Sequence, residues 1–199
     1  SESLNCQDTI NIQFTSGTTG SPKGATLTHH NILNNAIVTA NAMRLTAQDK
    51  LCLPVPLYHC FGMVLGTLTC VINGSCVVLP GPSFDPTETF QAVSSEGCTA
   101  LHGVPTMFIA ELEHSSLDDY DLSTLRTGIM AGATCPIEVM KRVQSEMHMS
   151  EILIGYGQTE TSPLNHLTLA DDPLDKRVET VGRASDHLEI KIADEQGNP

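Results

Sequence analysis

The sequence predicts an α/β fold in which mostly parallel sheets are flanked by helices. Short apolar runs typical of strands alternate with segments in which apolar residues recur at helical spacing. Prolines, glycines and an Asn73-Gly74 pair separate these segments, as turns do. Strands that alternate with helices in this way are typical of parallel sheets covered on both faces.

The first strand is predicted at residues 9–14, where apolar and polar side chains alternate. A short strand at 24–27 leads into a helix at 30–43, and Thr28-His29-His30-Asn31 is interpreted as the start of that helix. The later strands are predicted at 51–55, 75–79, 99–102, 125–130 and 152–154. The later helices are predicted at 62–72, 85–96, 105–113 and 136–147. Beyond residue 160 the pattern changes, and strands at 178–182 and 188–193 are predicted in a different, antiparallel unit.

The composition is ordinary for a globular protein and argues against some classes of partner. The 199 residues are 40% hydrophobic and 17% charged, and the formal net charge of −13 argues against a nucleic-acid partner. The longest strongly apolar stretch, 61–72, is too short to span a bilayer. No signal peptide is visible, so we expect a cytoplasmic protein, although a targeting sequence could precede a chain that starts so abruptly.

Seven cysteines with no C-x-x-C spacing predict free thiols in a reducing compartment. Most lie in apolar runs and are predicted to be buried: Cys52, Cys60, Cys70, Cys76 and Cys98. Cys60 and Cys135 adjoin candidate sites, but no Cys-His-Asn arrangement can be inferred for a catalytic cysteine. The spacing of the eight histidines and the cysteines does not indicate a zinc site.

The segment T-S-G-T-T-G-S-P-K-G, from Thr15 to Gly24, has the residues that a phosphate-binding loop needs. Glycines let backbone N–H groups approach phosphate oxygens, hydroxyls donate hydrogen bonds, and Lys23 supplies positive charge. It is not a Walker loop, because Lys23 lies between Pro22 and Gly24 rather than in Gly-Lys-Ser/Thr. The alternative, a solvated turn, rarely combines so many glycines and hydroxyls with a Pro-Lys-Gly exit.

The segment G-Y-G-Q-T-E, at 155–160, follows the apolar run 152–154. Tyr156 is therefore predicted on a tight turn at the carboxyl end of a strand, where open α/β sheets bind ligands. Its ring can stack on a purine, Thr159 can donate to a phosphate oxygen, and Glu160 offers a hard oxygen ligand for Mg²⁺. The alternative is a turn with a core tyrosine and a solvated glutamate.

These two segments together resemble the signature motifs of the adenylate-forming (AMP-binding) superfamily. That superfamily includes acyl-CoA synthetases, firefly-type luciferases and the adenylation domains of peptide synthetases. Two further segments match in the same order: Y-H-C-F-G at 58–62 resembles the segment beside the acyl pocket, and A-G-A-T-C-P at 131–136 resembles the turn against adenine. The resemblance covers nearly the whole chain and is strongest to medium-chain fatty-acyl-CoA synthetases.

The resemblance implies a set of site residues. Those implied to bind ATP are Thr15, Ser16, Gly17, Thr18, Thr19, Gly20, Lys23, Gly132, Ala133, Thr134, Gly155, Tyr156, Gly157, Gln158 and Thr159. Those implied to line the acyl pocket are His59, Phe61, Gly62, Met63 and Gly103. Lys23, His59, Thr159 and Glu160 are implied to be catalytic, and Mg²⁺ is expected on Glu160 with help from Thr15. From the residues alone, His59 could equally cap a helix.

The resemblance also implies a domain organisation. Residues 1–48 would end a first α/β subdomain, 49–172 would form a second one, and 173–199 would start a β-barrel subdomain. The ribose-binding aspartate and the C-terminal lid with its lysine would lie beyond this chain. We therefore expect a fragment that is nearly inactive by itself.

The implied reaction consumes ATP and a carboxylic acid to give an acyl adenylate and pyrophosphate, and coenzyme A then releases AMP. The segment 58–62 has no acid to pair with an α-ammonium, so a plain and apolar acid is favoured over an amino acid. Two alternatives remain: a ligase that passes the acyl group to a carrier protein or stops at the adenylate, and a nucleotide-binding module without catalysis.

Overall fold

The computed structural model describes residues 3–16 and 20–199 and shows the predicted α/β architecture. Its first part is an antiparallel hairpin of β1 (Thr9–Thr15) and β2 (Lys23–Thr28). The pairing places Thr15 opposite Lys23, so the segment between them is the hairpin connection. The predicted strands at 9–14 and 24–27 are therefore both present.

A second sheet has seven strands in the spatial order β4-β3-β5-β6-β7-β8-β9. These strands are β3 (Lys50–Cys52), β4 (Cys76–Val78), β5 (Ala100–Leu101), β6 (Thr127–Ala131), β7 (Glu151–Gly157), β8 (Leu164–Leu167) and β9 (Arg183–Ala184). The strands from β3 to β7 pair in parallel, whereas β8 and β9 pair antiparallel.

Helices connect the parallel strands and cover both faces of this sheet. They are α1 (His29–Ala42), a π-helix (Phe61–Leu68) continued by α2 (Thr69–Asn73), α3 (Pro86–Glu96), α4 (Pro105–Leu112), α5 (Ile137–Glu146) and α6 (Leu174–Glu179). Thr28 caps α1 through a capping box with Asn31, and Asp85 caps α3 ahead of Pro86, so local sequence fixes both helix starts.

The core consists of two apolar clusters, one on each face of the sheet. Neighbouring strand residues alternate between them: Leu51 belongs to one cluster and Cys52 to the other, as do Ile129 and Met130. One cluster packs against α1 and the π-helix, and the other against α3, α4 and α5. Burial of each large apolar side chain stabilises the fold by about 1.5–3 kcal/mol.

The strand order places a topological switch between β3 and β5. From β3 the chain crosses to β4 on one side and then returns to β5 on the other. Helices that follow neighbouring strands diverge at such a point and leave a crevice at the carboxyl ends of the strands. The loops after β3, β5, β6 and β7 all open onto this edge.

Two predictions about the C-terminal part are wrong. The predicted strand at 178–182 is replaced by α6 and an irregular turn, and residues 185–199, which include the predicted strand at 188–193, form no helix or strand. Helix α6 is anchored because Arg177 is buried and donates hydrogen bonds to the carbonyls of Ser150 and Ile152 at 3.0 and 3.1 Å. Sequence periodicity carries no sign of such a side-chain anchor.

Three smaller differences also concern predicted elements. The helix predicted at 62–72 begins as a π-helix, a form that is often found at functional sites. Strand β8 was not predicted, and its pairing with β7 extends the sheet. Cys76 is exposed on the edge strand β4 rather than buried, and Cys52, Cys60, Cys70, Cys98 and Cys135 are buried free thiols. Among the described helices, none is both long and apolar enough for a membrane span.

Candidate active site

A cavity of about 450 Å³ lies at the carboxyl edge of the parallel strands, beside the switch point. Most of the residues predicted for the site meet here. The lining residues are Thr15, Ser16, Lys23, His59, Cys60, Phe61, Leu65, Ala131, Gly132, Gly155, Tyr156, Gly157, Gln158, Thr159, Glu160, Pro163 and Leu164. We call the part of the lining with Thr15, Lys23 and Glu160 the polar end, and the part with Phe61, Leu65 and Leu164 the apolar wall.

The hairpin supplies the polar end. Thr15 and Lys23 face each other across β1 and β2, and the Thr15 hydroxyl donates to the Lys23 carbonyl at 3.5 Å. Gln13 fastens the hairpin to the segment before the π-helix by donating to the Tyr58 carbonyl at 3.3 Å. Of the other predicted loop residues, Ser16 lines the cavity and Gly20 does not. Gly17, Thr18 and Thr19 lie outside the described residues.

His59 combines the two roles that the sequence leaves open. Its Nδ1 accepts a hydrogen bond from the Phe61 N–H at 3.1 Å, which caps the start of the π-helix, and its side chain also lines the cavity. Because Nδ1 is the acceptor, the ring proton of neutral His59 belongs on Nε2. The capping bond thus fixes how the ring is presented to the cavity.

The cysteines beside the site lack the features of nucleophiles. The Cys60 Sγ lies 3.8 Å from the Thr159 hydroxyl oxygen and 3.9 Å from His59 Nδ1. Burial raises the pKa of the Cys60 thiol, and burial raises the pKa of Cys135 to about 11. Since the thiolate is the reactive form, both groups are protonated at neutral pH and serve as packing.

Tyr156 lies within β7, not on a turn after the strand as predicted, because β7 continues to Gly157. The residue is 53% exposed and lines the cavity, and the ring of His166 lies across the strand pair at 5.9 Å between centroids. A Cβ at Gly157 would overlap the Pro163 carbonyl oxygen, so only glycine fits where β7 meets β8.

Thr159 and Glu160 follow Gln158 in a short 3₁₀ turn (Thr159–Thr161). Gln158 and Thr161 close this turn through reciprocal side-chain and backbone hydrogen bonds. The turn holds Thr159 half-buried against Cys60 and leaves the Glu160 carboxylate exposed at the polar end. The Glu160 carboxylate is therefore accessible from the cavity.

A second cavity of about 420 Å³ lies on the other side of Tyr156. It shares Gly132, Gly155, Tyr156 and Gly157 with the first cavity and also contains the predicted residues Ala133 and Thr134. Its outer wall comes from residues 178–181. Gly132 has φ of +90°, a left-handed conformation that favours glycine and turns the chain away after β6. A flat ring could therefore lie between this turn and Tyr156.

Three of the residues predicted for the acyl pocket lie behind the cavity wall. Phe61 lines the cavity, whereas Gly62, Met63 and Gly103 do not. Gly62 packs against the Pro56 carbonyl, the Met63 sulfur accepts from Asn11 Nδ2 at 3.2 Å, and Gly103 lies against the Phe108 ring. The contacts of these three residues are therefore with Pro56, Asn11 and Phe108, which lie outside the cavity lining.

Several lining residues were absent from the predicted set: Leu65, Ala131, Pro163 and Leu164. Leu65 could have been found, because it lies one helical turn after Phe61. Ala131 begins the A-G-A-T-C-P segment that the sequence singled out. Pro163 and Leu164 had no sequence signal, since they reach the site through the unpredicted β7–β8 pairing.

The donor set at the polar end fits a magnesium ion shared with a nucleotide. Within residues 3–16 and 20–199, no three His, Cys, Asp or Glu side chains form a metal cluster. Glu160 is accompanied in the lining by the hydroxyls of Thr15 and Thr159. Mg²⁺ is commonly held by one or two carboxylates together with substrate phosphates and water, so one carboxylate suffices here.

Comparison with known proteins identifies the family. The family model described as "AMP-binding enzyme" matches residues 1–199. The chain belongs to the AMP-binding enzyme family. YngI of Bacillus subtilis, named among acyl-CoA synthetases, is 57% identical over 192 residues, which are 96% of this chain and 35% of YngI. The medium-chain acyl-CoA ligase ACSF2, mitochondrial, of Danio rerio is 46% identical over 193 residues, which are 96% of this chain and 32% of that protein.

Solved structures of this family show the same fold. ATP-bound MatB from Rhodopseudomonas palustris has a TM-score of 0.85 and 28% identity, over 98% of this chain and 38% of that one. The anthranilate CoA ligase AuaEII in complex with anthranoyl-AMP has a TM-score of 0.88 and 25% identity, over 97% of this chain and 37% of that one. The chain spans about a third of the length of the relatives it matches.

Proposed function

We propose that the protein carrying this chain is an AMP-forming acyl-CoA synthetase that acts on a fatty acid of medium length. One observation carries the proposal: a single cavity joins a phosphate-type end, with Lys23, Thr15 and Glu160, to an apolar wall that includes Phe61 and Leu65. A carboxylic acid with an apolar tail and the phosphates of ATP would meet where these two ends join.

The comparisons support each component of this proposal. The relatives are named as acyl-CoA synthetases or ligases, and the zebrafish one is named for medium-chain acids. Structural neighbours hold ATP in one case and an acyl adenylate in another. Because the chain spans about a third of these relatives, the activity is assigned to the whole protein that carries it.

In the first half of the reaction, a carboxylate oxygen attacks the α-phosphorus of ATP and pyrophosphate leaves. Lys23 and the Thr15 and Ser16 hydroxyls would bind the phosphates, and Thr159 would donate to a phosphate oxygen. Tyr156 would support the adenine against the turn that begins at Gly132. Such a transfer depends on positioning and charge neutralisation, which preorganised donors supply.

Glu160, aided by Thr15, would hold Mg²⁺ at the polar end. When bound, the ion neutralises charge on the ATP phosphates and on the departing pyrophosphate. The exposed Glu160 carboxylate suits this role because its oxygens are free to reach a cation outside the turn.

In the second half, the thiol of coenzyme A attacks the acyl carbonyl and AMP leaves with the former carboxylate oxygen. His59 lines the cavity beside Phe61 and is exposed on its outer side, so it would stand on the path of the thiol. The buried, protonated Cys60 offers no competing nucleophile. The nucleophiles that attack the adenylate would therefore be the coenzyme A thiol and water, and not a side chain of the protein.

A plain carboxylic acid fits this cavity better than an amino acid. The residues from Tyr58 to Gly62 contain no carboxylate, so a buried ammonium group would lack a partner. Removing such a charge from water without pairing it costs several kcal/mol. The apolar neighbours Phe61, Leu65 and Leu164 instead match the methylenes of an aliphatic tail.

We further propose that the hairpin belongs to one α/β subdomain, 1–48, and the seven-stranded sheet mostly to another, 49–172, with 173–199 starting a third unit. A separate lid would supply the groups that close the site. For the compartment, the sequence favours the cytoplasm, and the zebrafish relative is named as mitochondrial. Free cysteines accord with the reducing interior of either.

The alternatives differ in their products. A ligase that loads a carrier protein would release pyrophosphate but form no acyl-CoA, and a nucleotide-binding module would do neither.

A pyrophosphate-release screen of the whole protein over fatty acids, amino acids and acceptor thiols separates these alternatives. We expect release with fatty acids of medium length and acyl-CoA only when coenzyme A is added. Release with amino acids alone would overturn the assignment.

A further inference from the structure

His102 is a fully buried histidine that lies outside the cavity lining yet touches its wall. It follows β5 directly at the switch between β3 and β5, and its exposed fraction is 0%. Its Nε2 lies 3.1 Å from the Leu65 carbonyl oxygen, and its Nδ1 lies 3.1 Å from the Ile129 backbone nitrogen. The residue therefore bridges the π-helix and β6.

These two contacts fix the protonation and tautomer of the ring. A carbonyl can only accept, so Nε2 must carry the proton, and a backbone N–H can only donate, so Nδ1 must be bare. Only the neutral Nε2–H tautomer satisfies both partners. Burial lowers the pKa of His102 to about 4, which keeps the ring neutral at physiological pH.

The bridge acts on the apolar wall of the cavity. Phe61 and Leu65 lie four residues apart on the π-helix, and both line the cavity. His102 holds the Leu65 carbonyl directly, and its ring packs on the Phe61 ring with 5.3 Å between centroids at 35°. Residues of β5 and β6 set the position of His102 in turn, because Ile129 donates to it.

We propose that His102 is a positioning residue that fixes the Phe61–Leu65 wall and thereby sets the length of the acid that the cavity accepts. The proposal rests on the proposed acyl-CoA synthetase function. A polar residue in this core is otherwise unfavourable, since burying an imidazole without need costs free energy that an apolar side chain would not. Its two satisfied hydrogen bonds define one wall position instead of several.

Two amide variants, each able to replace one ring nitrogen, distinguish the two hydrogen bonds. In His102→Gln, the side-chain amide nitrogen can replace Nε2 and still donate to the Leu65 carbonyl. In His102→Asn, the shorter amide can replace Nδ1 and accept from Ile129 but cannot reach Leu65. The two variants thus differ in whether the hydrogen bond to the Leu65 carbonyl is kept, while both have a polar, neutral side chain.

The experiment measures kcat and KM for pyrophosphate release by the whole protein over saturated fatty acids of increasing length. For His102→Asn we expect selectivity between the best acid and its longer homologues to fall about tenfold or more, since one methylene in a fitted pocket is worth roughly 10- to 200-fold. Its KM for ATP should stay within about twofold of the parent value, because the hydrogen bonds of His102 are to Leu65 and Ile129 and not to residues of the polar end. His102→Gln should retain the parent length profile.

An unchanged length profile in His102→Asn would overturn the proposal. So would an equal loss for every acid in both variants, which indicates a merely structural role. Crystal structures of the two variants give a readout that does not depend on activity. Both variants lose the ring that packs on Phe61, so Leu65 distinguishes them: it should shift in His102→Asn and not in His102→Gln, and a Leu65 that stays in place in His102→Asn refutes the proposal. If the parent itself shows no acid-dependent release, the proposed function fails separately.

Discussion

At the scale of single residues, Tyr156 has an unusual position because it separates two cavities. Tyr156 lines both the cavity that contains Lys23 and Glu160 and the cavity that contains Ala133 and Thr134. The sequence predicted the residue and its partners but placed it on a turn. The antiparallel partner β8 extends β7 and holds Tyr156 at its end, so the ring has a rigid base.

Lys23 is the cation at the exit of the predicted phosphate loop, and it lines the cavity. Replacing it with alanine should remove one charged contact with the transferring phosphates, worth about 2–3 kcal/mol, and slow adenylation about 30- to 150-fold. The measurement is pyrophosphate release by the whole protein at saturating ATP. Lys141→Ala is the matched control, because Lys141 pairs with Glu138 on α5 outside the cavity lining. Equal rates for Lys23→Ala and the parent would refute the role.

Glu160 is the carboxylate at the polar end of the cavity. Glu160→Gln keeps its size and hydrogen bonding but removes the charge that a hard cation needs, so the Mg²⁺ concentration for half-maximal activity should rise. Magnesium titrations of the variant and the parent measure this shift. Glu138→Gln, on the exposed surface of α5, should leave the titration unchanged. Superimposable curves for Glu160→Gln would show that Glu160 is not a ligand.

At the scale of elements, the parts of the fold with strong local signals were predictable. The helix at 30–43 has a capping residue and apolar periodicity, and α1 is observed within one residue of it. The parallel strands are short apolar runs bounded by turns, and each was found in place, although most predicted strands were too long and the one at 152–154 was too short. These signals are local, so a single sequence contains them.

The features that were missed depend on distant contacts. A helix was predicted at 62–72, but its π form was not; His102, just after β5, contacts the Leu65 carbonyl, and the Thr69 hydroxyl lies within hydrogen-bond distance of the Val64 and Ala36 carbonyls. Helix α6 depends on Arg177 and the carbonyls at the start of β7. The same limit applies to the site, where Pro163 and Leu164 arrive through strand pairing. Such contacts form between residues far apart in the chain, so no short pattern reports them.

Asp49 and Arg126 connect elements at the edge of the sheet opposite the cavity. Arg126 contacts both Asp49 oxygens at 2.9 Å and Glu151 at 2.7 Å. Burial opposes the charge of Asp49, but hydrogen bonds from Thr99, Thr46 and Arg126 outweigh burial and lower its pKa. A lowered carboxyl pKa stabilises the fold above the unfolded pKa, near 4, and this stability is lost as the pH falls from there through the lower pKa of the folded state.

Asp49→Asn should therefore lower the free energy of unfolding by about 1–3 kcal/mol at pH 7, because Arg126 loses a buried partner. The difference from the parent should shrink as the pH falls below 4. Urea denaturation at several pH values measures both effects. Asp118→Asn, at an exposed position in a 3₁₀ turn, is the control and should behave like the parent. A constant difference at all pH values would contradict the assigned charge.

At the scale of the whole molecule, two fully buried ionisable groups should make the free energy of unfolding depend on pH. His102 should lower it in acid, and Glu111 should lower it in alkaline solution. His102 favours its neutral form, so stability falls as the pH drops from about 6.5 toward 4. Glu111 on α4 is also buried, and burial raises its pKa to about 8. Neither of its carboxyl oxygens has a hydrogen-bond partner in the described part of the chain. The folded protein therefore keeps the Glu111 proton to higher pH than the unfolded chain does.

The raised pKa of Glu111 determines how its contribution to stability changes with pH. Its protonated form stabilises the fold fully below the unfolded pKa of about 4.5, and that stability is lost as the pH rises through 8. Glu111→Met, similar in size and apolar, should raise the free energy of unfolding at pH 8 by about 2–4 kcal/mol and much less at pH 5. Thermal or urea unfolding at both pH values tests this. Glu113→Met, exposed just beyond the same helix, should not change the pH dependence. A Glu111→Met protein that is less stable than the parent at pH 8 would refute it.

The central claim for the whole molecule is that a carboxylate attacks the α-phosphorus of ATP in this cavity and that a thiol then displaces AMP. A fatty acid labelled with ¹⁸O in both carboxylate oxygens tests it most directly, because the attacking oxygen must remain with the phosphate when the thioester forms. Mass spectrometry of the products formed by the whole protein with ATP, Mg²⁺ and coenzyme A should find one ¹⁸O in AMP and none in pyrophosphate. Label in inorganic phosphate with ADP as product, or AMP without label, would contradict the claim.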